Sequence, residues 1–207
     1  MFANIPTALT WLRIILMPVV VVVYYLPDAW LSPPAKNWTA MTVFSVAAIT
    51  DWLDGYLARR WGQVSAFGAF LDPVADKLMV AAALIMLVWL DRAESYLAMI
   101  IIGREIAISA LREWMAQLGE SKSVAVAFIG KVKTVAQMTA IIALLLHEPL
   151  IPFVSTPLLG TVALWVAAIL TLWSMAHYLK LAAPHFAIVS KPGAHVDRPG
   201  TSDRAEV

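Results

Sequence analysis

The chain has no cysteine among its 207 residues, which excludes disulfides, zinc–thiolate centres and iron–sulfur clusters. It is also short of charge. Asp, Glu, Lys and Arg make up 14% of the residues, against about 25% in an average soluble domain, and no polar block is long enough to form a separate soluble domain. A formal net charge of +1 gives no electrostatic footing for a nucleic-acid partner. No small-x-small pattern follows the first apolar run, where Tyr24, Tyr25, Leu26 and Pro27 stand instead. That run is therefore read as an uncleaved helix rather than a signal peptide. There is no internal repeat and no matched pair of Gly/Pro-broken segments, which argues against an inverted-repeat transporter.

What is present is apolar sequence, 61% of the residues. Six segments, 14–26, 38–60, 73–90, 95–118, 124–146 and 158–181, approach the length of about 20 residues that a membrane-spanning helix needs. Pro18 is expected to bend the first helix rather than end it, because neighbouring helices satisfy the freed carbonyl. Pro73 is expected in the first turn of the third. Residues 1–12 are mildly amphipathic and read as a segment lying along the interface. The expected fold is thus an all-α polytopic membrane protein with six transmembrane helices and a short N-terminal interfacial amphipathic segment. It forms one domain over 1–183, followed by a polar, disordered tail over 184–207. Of fifteen Lys and Arg, only Lys36 and Arg92 fall in loops on the side away from the termini. The positive-inside rule therefore places both termini in the cytoplasm.

Against this background four aspartates stand out. Asp51 and Asp54 are three residues apart and Asp72 and Asp76 four apart, so each pair shares a helix face. A turn over 60–67 would fold the two helices into a hairpin with facing carboxylates, open to the cytoplasm. Ionisable groups in a membrane mark function by default. Four carboxylates repel one another unless cations join them. An oxygen-only set suits Mg²⁺ or Mn²⁺ better than zinc, and two ions about 3.5–4 Å apart can share it. A buried ion-pair cluster or a structural metal site is the alternative.

The full pattern is D-x2-D-G-x2-A-R-x8-G-x3-D-x3-D. It resembles the signature of the CDP-alcohol phosphotransferase family, membrane enzymes in which an alcohol attacks a CDP-linked lipid and CMP leaves. The resemblance implies that Asp51, Asp54 and Asp72 bind metal, and that Asp76 both binds metal and serves as general base. It also implies that Gly55, Ala58, Arg59 and Gly68 line the CDP-lipid site. Small side chains at 55 and 58 suit close approach of a nucleotide, and the fork of Arg59 suits phosphate.

The alcohol is decided elsewhere. Gly103-Arg104-Glu105, Leu111-Arg112-Glu113 and the run from Gly130 to Gln137 form a basic set. A phosphate-bearing acceptor needs such a set; serine, choline and free inositol do not. Arg112, Lys131 and Lys133 are the leading candidates, with Arg104, Thr134 and Gln137 beside them. At 100° per residue Lys133 and Gln137 share one face and Lys131 and Thr134 another. Arg104 lies about 12 Å from Arg112 along the axis, so the two need not hold one ligand. Structural ion pairing of Arg104 and Glu105 with neighbouring helices, and snorkelling of Arg112 and the lysines to headgroups, are the bland alternatives. Segments 4–13, 51–78, 104–114 and 130–137 further resemble the bacterial members of the family that join CDP-diacylglycerol to sn-glycerol 3-phosphate. This implies those two substrates, a homodimer, and a place among the lipids of the bacterial cytoplasmic (inner) membrane. The rivals are a cardiolipin synthase using phosphatidylglycerol, a membrane prenyltransferase and a divalent-cation transporter. The last has no need of the Gly-x2-Ala-Arg element.

Overall fold

The computed structural model describes residues 5–61, 66–117, 127–149 and 155–189. They form six helices: α1 (Ile5–Tyr25), α2 (Pro33–Trp61), α3 (Ala66–Trp89), α4 (Ser95–Gln117), α5 (Ala127–Leu146) and α6 (Thr156–Val189). No strand occurs among the described residues.

Several boundaries differ from the sequence expectation, each for a physical reason. Residues 5–12 are not a separate interfacial segment but the first turns of α1. Thr10 is 1% exposed and Arg13 fully buried, so the polar side of this stretch faces inward rather than toward lipid headgroups. Pro33 and Pro34 open α2, where a missing N–H leaves no helical bond unmade. Helix α3 begins at Ala66, so Pro73 lies inside it and Asp72 and Asp76 both stand on helical backbone. Helix α6 runs to Val189, past residue 184 where the tail was expected to start. The apolar run continues through Phe186, Ile188 and Val189, and only Pro184 opposes it. The rest of that tail lies outside the described residues.

Helix α1 packs against α2 and α3, α5 against α2 and α6, and α4 against α3 and α6. The apolar core joins Phe44, Leu84, Leu87, Ile101, Ile141 and Leu144. Large apolar side chains also cover the outside, among them Ile49, Phe70, Met99, Val135 and Trp173, each more than 60% exposed. Buried polar groups, by contrast, include Arg13, Arg104, Lys133 and Gln137. Apolar outside with charge inside is the reverse of a water-soluble protein. Two stretches, Ala8–Tyr25 and Thr156–Lys180, are long and apolar enough to cross a membrane, and Val132–Leu146 is a shorter apolar stretch. Helices α2, α3 and α4 miss that mark because they carry the charged residues of the motifs.

The end of the bundle opposite the aspartates is closed by a polar clasp. Helix α3 ends with Asp91 in the left-handed region (φ 56°). Asp91 N donates to Val88 O and Arg92 N to Leu87 O, a Schellman closure made without glycine. This turn aims Arg92 across the bundle. Its Nη1 donates to Leu144 O and Leu145 O at 3.1 and 2.9 Å, satisfying carbonyls that the end of α5 leaves unpaired. Its Nη2 donates to Asn37 Oδ1 at 2.8 Å, and its guanidinium lies over the Tyr24 ring. Thr156 Oγ1 at the start of α6 donates to Glu148 O at 2.6 Å, and Asn37 Nδ2 reaches Glu148 Oε1 at 3.5 Å.

Candidate active site

Helices α2 and α3 carry the two halves of the aspartate motif, and α1 packs against both. On α1, Thr10 and Arg13 are three residues apart and so share a face. Arg13 Nη1 lies 2.6 Å from Asp51 Oδ1, and Thr10 Oγ1 donates to Asp72 Oδ1. Asp51 is 40% exposed, whereas Arg13 is wholly inside. Asp51 is close enough to Asp72 and Asp76 for their charges to act on one another, and Asp76 also feels Arg13, Glu105 and Lys77. Three of the four aspartates are therefore gathered at one place, beside one fixed positive charge. Gly68 is buried in the first turn of α3. The side chains of Asp54, Gly55, Ala58 and Arg59 lie outside the described set, though their backbone belongs to α2.

Among the described residues no three His, Cys, Asp or Glu side chains already stand as a metal cage. The chemistry of the donor set nevertheless fits a hard divalent cation. Asp51, Asp72 and Asp76 offer only oxygen, carry like charges that repel, and face no imidazole or thiolate.

The second cluster lies where α4, α5 and α6 meet. Glu105 is its centre: it accepts from Lys133 Nζ and from Arg104 Nη1 at 3.1 Å. Arg104 Nη2 donates to Ser174 Oγ on α6 at 2.7 Å. Arg112, which is exposed, donates to Tyr178 Oη at 2.8 Å. Both arginines lie over the Tyr178 ring, at 5.8 and 5.1 Å from its centroid. Helix rise separates the two arginines, and one aromatic side chain joins them. Lys133 and Gln137 are both buried while Thr134 is exposed, which is the facial division expected from 100° per residue. The Lys131 side chain lies outside the described set. Gln137 Oε1, Arg104 Nε and Thr171 Oγ1 are buried with no hydrogen-bond partner among the described residues. Unpaired buried polar atoms are costly, and these leave the cluster able to receive a polar ligand.

Sequence reasoning missed four of these residues as parts of the site: Thr10, Arg13, Ser174 and Tyr178. The signal was present in each case as a polar side chain inside an apolar run, at i, i+3 on α1 and i, i+4 on α6. What the sequence withheld was which run each side chain would face.

A model of CDP-alcohol phosphatidyltransferases matches residues 3–173. The chain belongs to the CDP-alcohol phosphatidyltransferase family. Relatives include a CDP-diacylglycerol–glycerol-3-phosphate 3-phosphatidyltransferase of Salmonella choleraesuis strain SC-B67, 51% identical over 185 residues, 86% of this chain and 94% of the relative. Proteins of the same name from Escherichia coli strain K12 and Shigella flexneri serotype 5b match at the same identity and coverage. Both carboxylate pairs of this family member, and the basic residues up to Lys133 with Gln137, fall within the matched residues; Ser174 and Tyr178 on α6 lie beyond them.

Proposed function

We propose that the protein transfers the phosphatidyl group of CDP-diacylglycerol to sn-glycerol 3-phosphate, giving phosphatidylglycerophosphate and CMP. The observation that carries the reading is the nearness of the aspartate cluster to the basic cluster: Glu105 lines one cavity with Lys77, the residue next to Asp76. Two like-charged substrates need such neighbouring sites, one for a diphosphate and one for a phosphate. Lys133, Arg104, Arg112 and Lys131 hold the acceptor phosphate. Gln137 Oε1 has no donor among the described residues and, as an acceptor, suits a glycerol hydroxyl rather than the phosphate. Arg59, Gly55, Ala58 and Gly68 receive the CDP moiety.

Asp76 takes the proton of the free terminal hydroxyl of glycerol 3-phosphate. That oxygen forms a bond to the lipid-side phosphorus, the bond from this phosphorus to the bridging oxygen breaks, and its electron pair leaves with CMP. Asp51, Asp54, Asp72 and Asp76 would hold Mg²⁺ or Mn²⁺, two ions sharing the set; bound there, they neutralise the diphosphate and the charge developing on the leaving phosphate. The lysines and arginines align the hydroxyl, a factor worth about 7–11 kcal/mol in favourable intramolecular cases. An apolar groove of about 390 Å³ is lined by Ala107, Leu111, Trp114, Met175 and Leu179 and suits a lipid chain. Six spans, cytoplasmic termini and active site, the inner membrane and a homodimer complete the reading, on the distribution of Lys and Arg and the family resemblance.

The test is CMP release by purified protein in detergent, with Mg²⁺, CDP-diacylglycerol and one candidate alcohol at a time. Release with glycerol 3-phosphate that stops on adding EDTA is the expected result. Release with phosphatidylglycerol instead would keep the aspartate chemistry and overturn the acceptor.

A further inference from the structure

The aspartate motif lies on two helices, yet a third helix holds its carboxylates. One face of α1 reaches α2 through Arg13 and Asp51 and α3 through Thr10 and Asp72. Both α1 side chains are almost completely buried, so neither swings freely. Asp51 and Asp72 repel each other across this face. A buried guanidinium without its carboxylate would be strongly unfavourable, and so would carboxylates gathered without a cation.

We infer that Arg13 and Thr10 are positioning residues that keep the divalent-cation site assembled before any cation arrives. Their roles differ in sign. Thr10 donates to one oxygen of Asp72 and so holds that carboxylate in place, as hydrogen-bond partners behind metal ligands do. Its loss weakens cation binding. Arg13 is the resident counter-charge of the metal-free site. It stabilises the empty cluster but repels an incoming cation, so part of the cation's binding energy is offset by it. Replacing Arg13 by a neutral residue therefore destabilises the metal-free protein and enlarges the stabilisation that metal brings. The inference rests on the reading of the aspartates as a divalent-cation site.

The experiment is thermal unfolding of the full chain in detergent, in EDTA and across a Mg²⁺ titration, for wild type, Thr10→Val, Thr10→Ser and Arg13→Gln. Thr10→Val keeps the shape and removes the donor; it is expected to need about 10–100-fold more Mg²⁺ for half of its rise in Tm, with Thr10→Ser restored to wild type. Arg13→Gln is expected to show a lower Tm in EDTA and a larger rise with Mg²⁺ than wild type. Equal losses with and without Mg²⁺ would make Arg13–Asp51 an ordinary structural ion pair and overturn its part. Thr10→Val titrating like wild type would overturn the role of Thr10, and this variant decides the matter if Arg13→Gln does not fold. A wild-type Tm indifferent to Mg²⁺ and Mn²⁺ would instead sink the cation site itself, and the inference with it.

Discussion

At the residue scale the chemistry divides between one carboxylate and a few cations. Asp76→Asn keeps size and removes the proposed base; turnover should fall by about 10²–10⁴-fold while CDP-diacylglycerol binding stays, as checked by CMP release and by binding of the donor alone. Lys133→Ala should raise the acceptor KM about ten- to a hundredfold, the equivalent of one charge-assisted hydrogen bond; a rise confined to the donor KM would move the acceptor site elsewhere. The aspartates were legible because spacing alone puts each pair on a face. Arg104 was not fully legible. Ion pairing of Arg104 and Glu105 with neighbouring helices was the alternative; Glu105 does meet Lys133 of α5, whereas Arg104 pairs with Glu105 on its own helix and donates to Ser174 of α6.

At the element scale, six helices were readable from apolar runs, whereas their inner faces were not. A mildly polar face on residues 5–12 is the same pattern whether it meets headgroups or buried carboxylates; only the position of α2 and α3 decides. Proline was a weak guide to ends, since Pro73 lies within α3. Glycine offers a sharper test. A Cβ on Gly160 would lie 2.7 Å from Leu144 Cγ and 3.2 Å from Ala143 Cβ, where α5 and α6 pack. One on Gly103 would meet nothing within 4 Å. Gly160→Ala should therefore lose about 1–3 kcal/mol through overpacking. Gly103→Ala should hold level or gain up to about 1 kcal/mol from helix propensity. Thermal unfolding of the two variants side by side checks both.

On the scale of the whole molecule, charge and oil are separated along the bundle. One end gathers the aspartates, the charged cluster reaches in as far as Arg104 and Glu105 midway along α4, and the far end is latched by Arg92. Arg92→Ala should lower stability by about 1–3 kcal/mol, because it strands Leu144 O and leaves Leu145 O and Asn37 Oδ1 with only the long bonds from Tyr24 Oη. Both KM values should stay unchanged in the variant below its unfolding temperature, since the latch lies at the end of the bundle away from Asp76. The latch also sets an order of events during synthesis. Arg92 is made 52 residues ahead of Leu144, so its guanidinium has no carbonyl to meet until α5 has been threaded in, and Glu148 has no Thr156 hydroxyl until α6 begins. A nascent chain halted after α4 cannot shut its far end; closure is a mark of completed insertion, made by the last helices on behalf of the first.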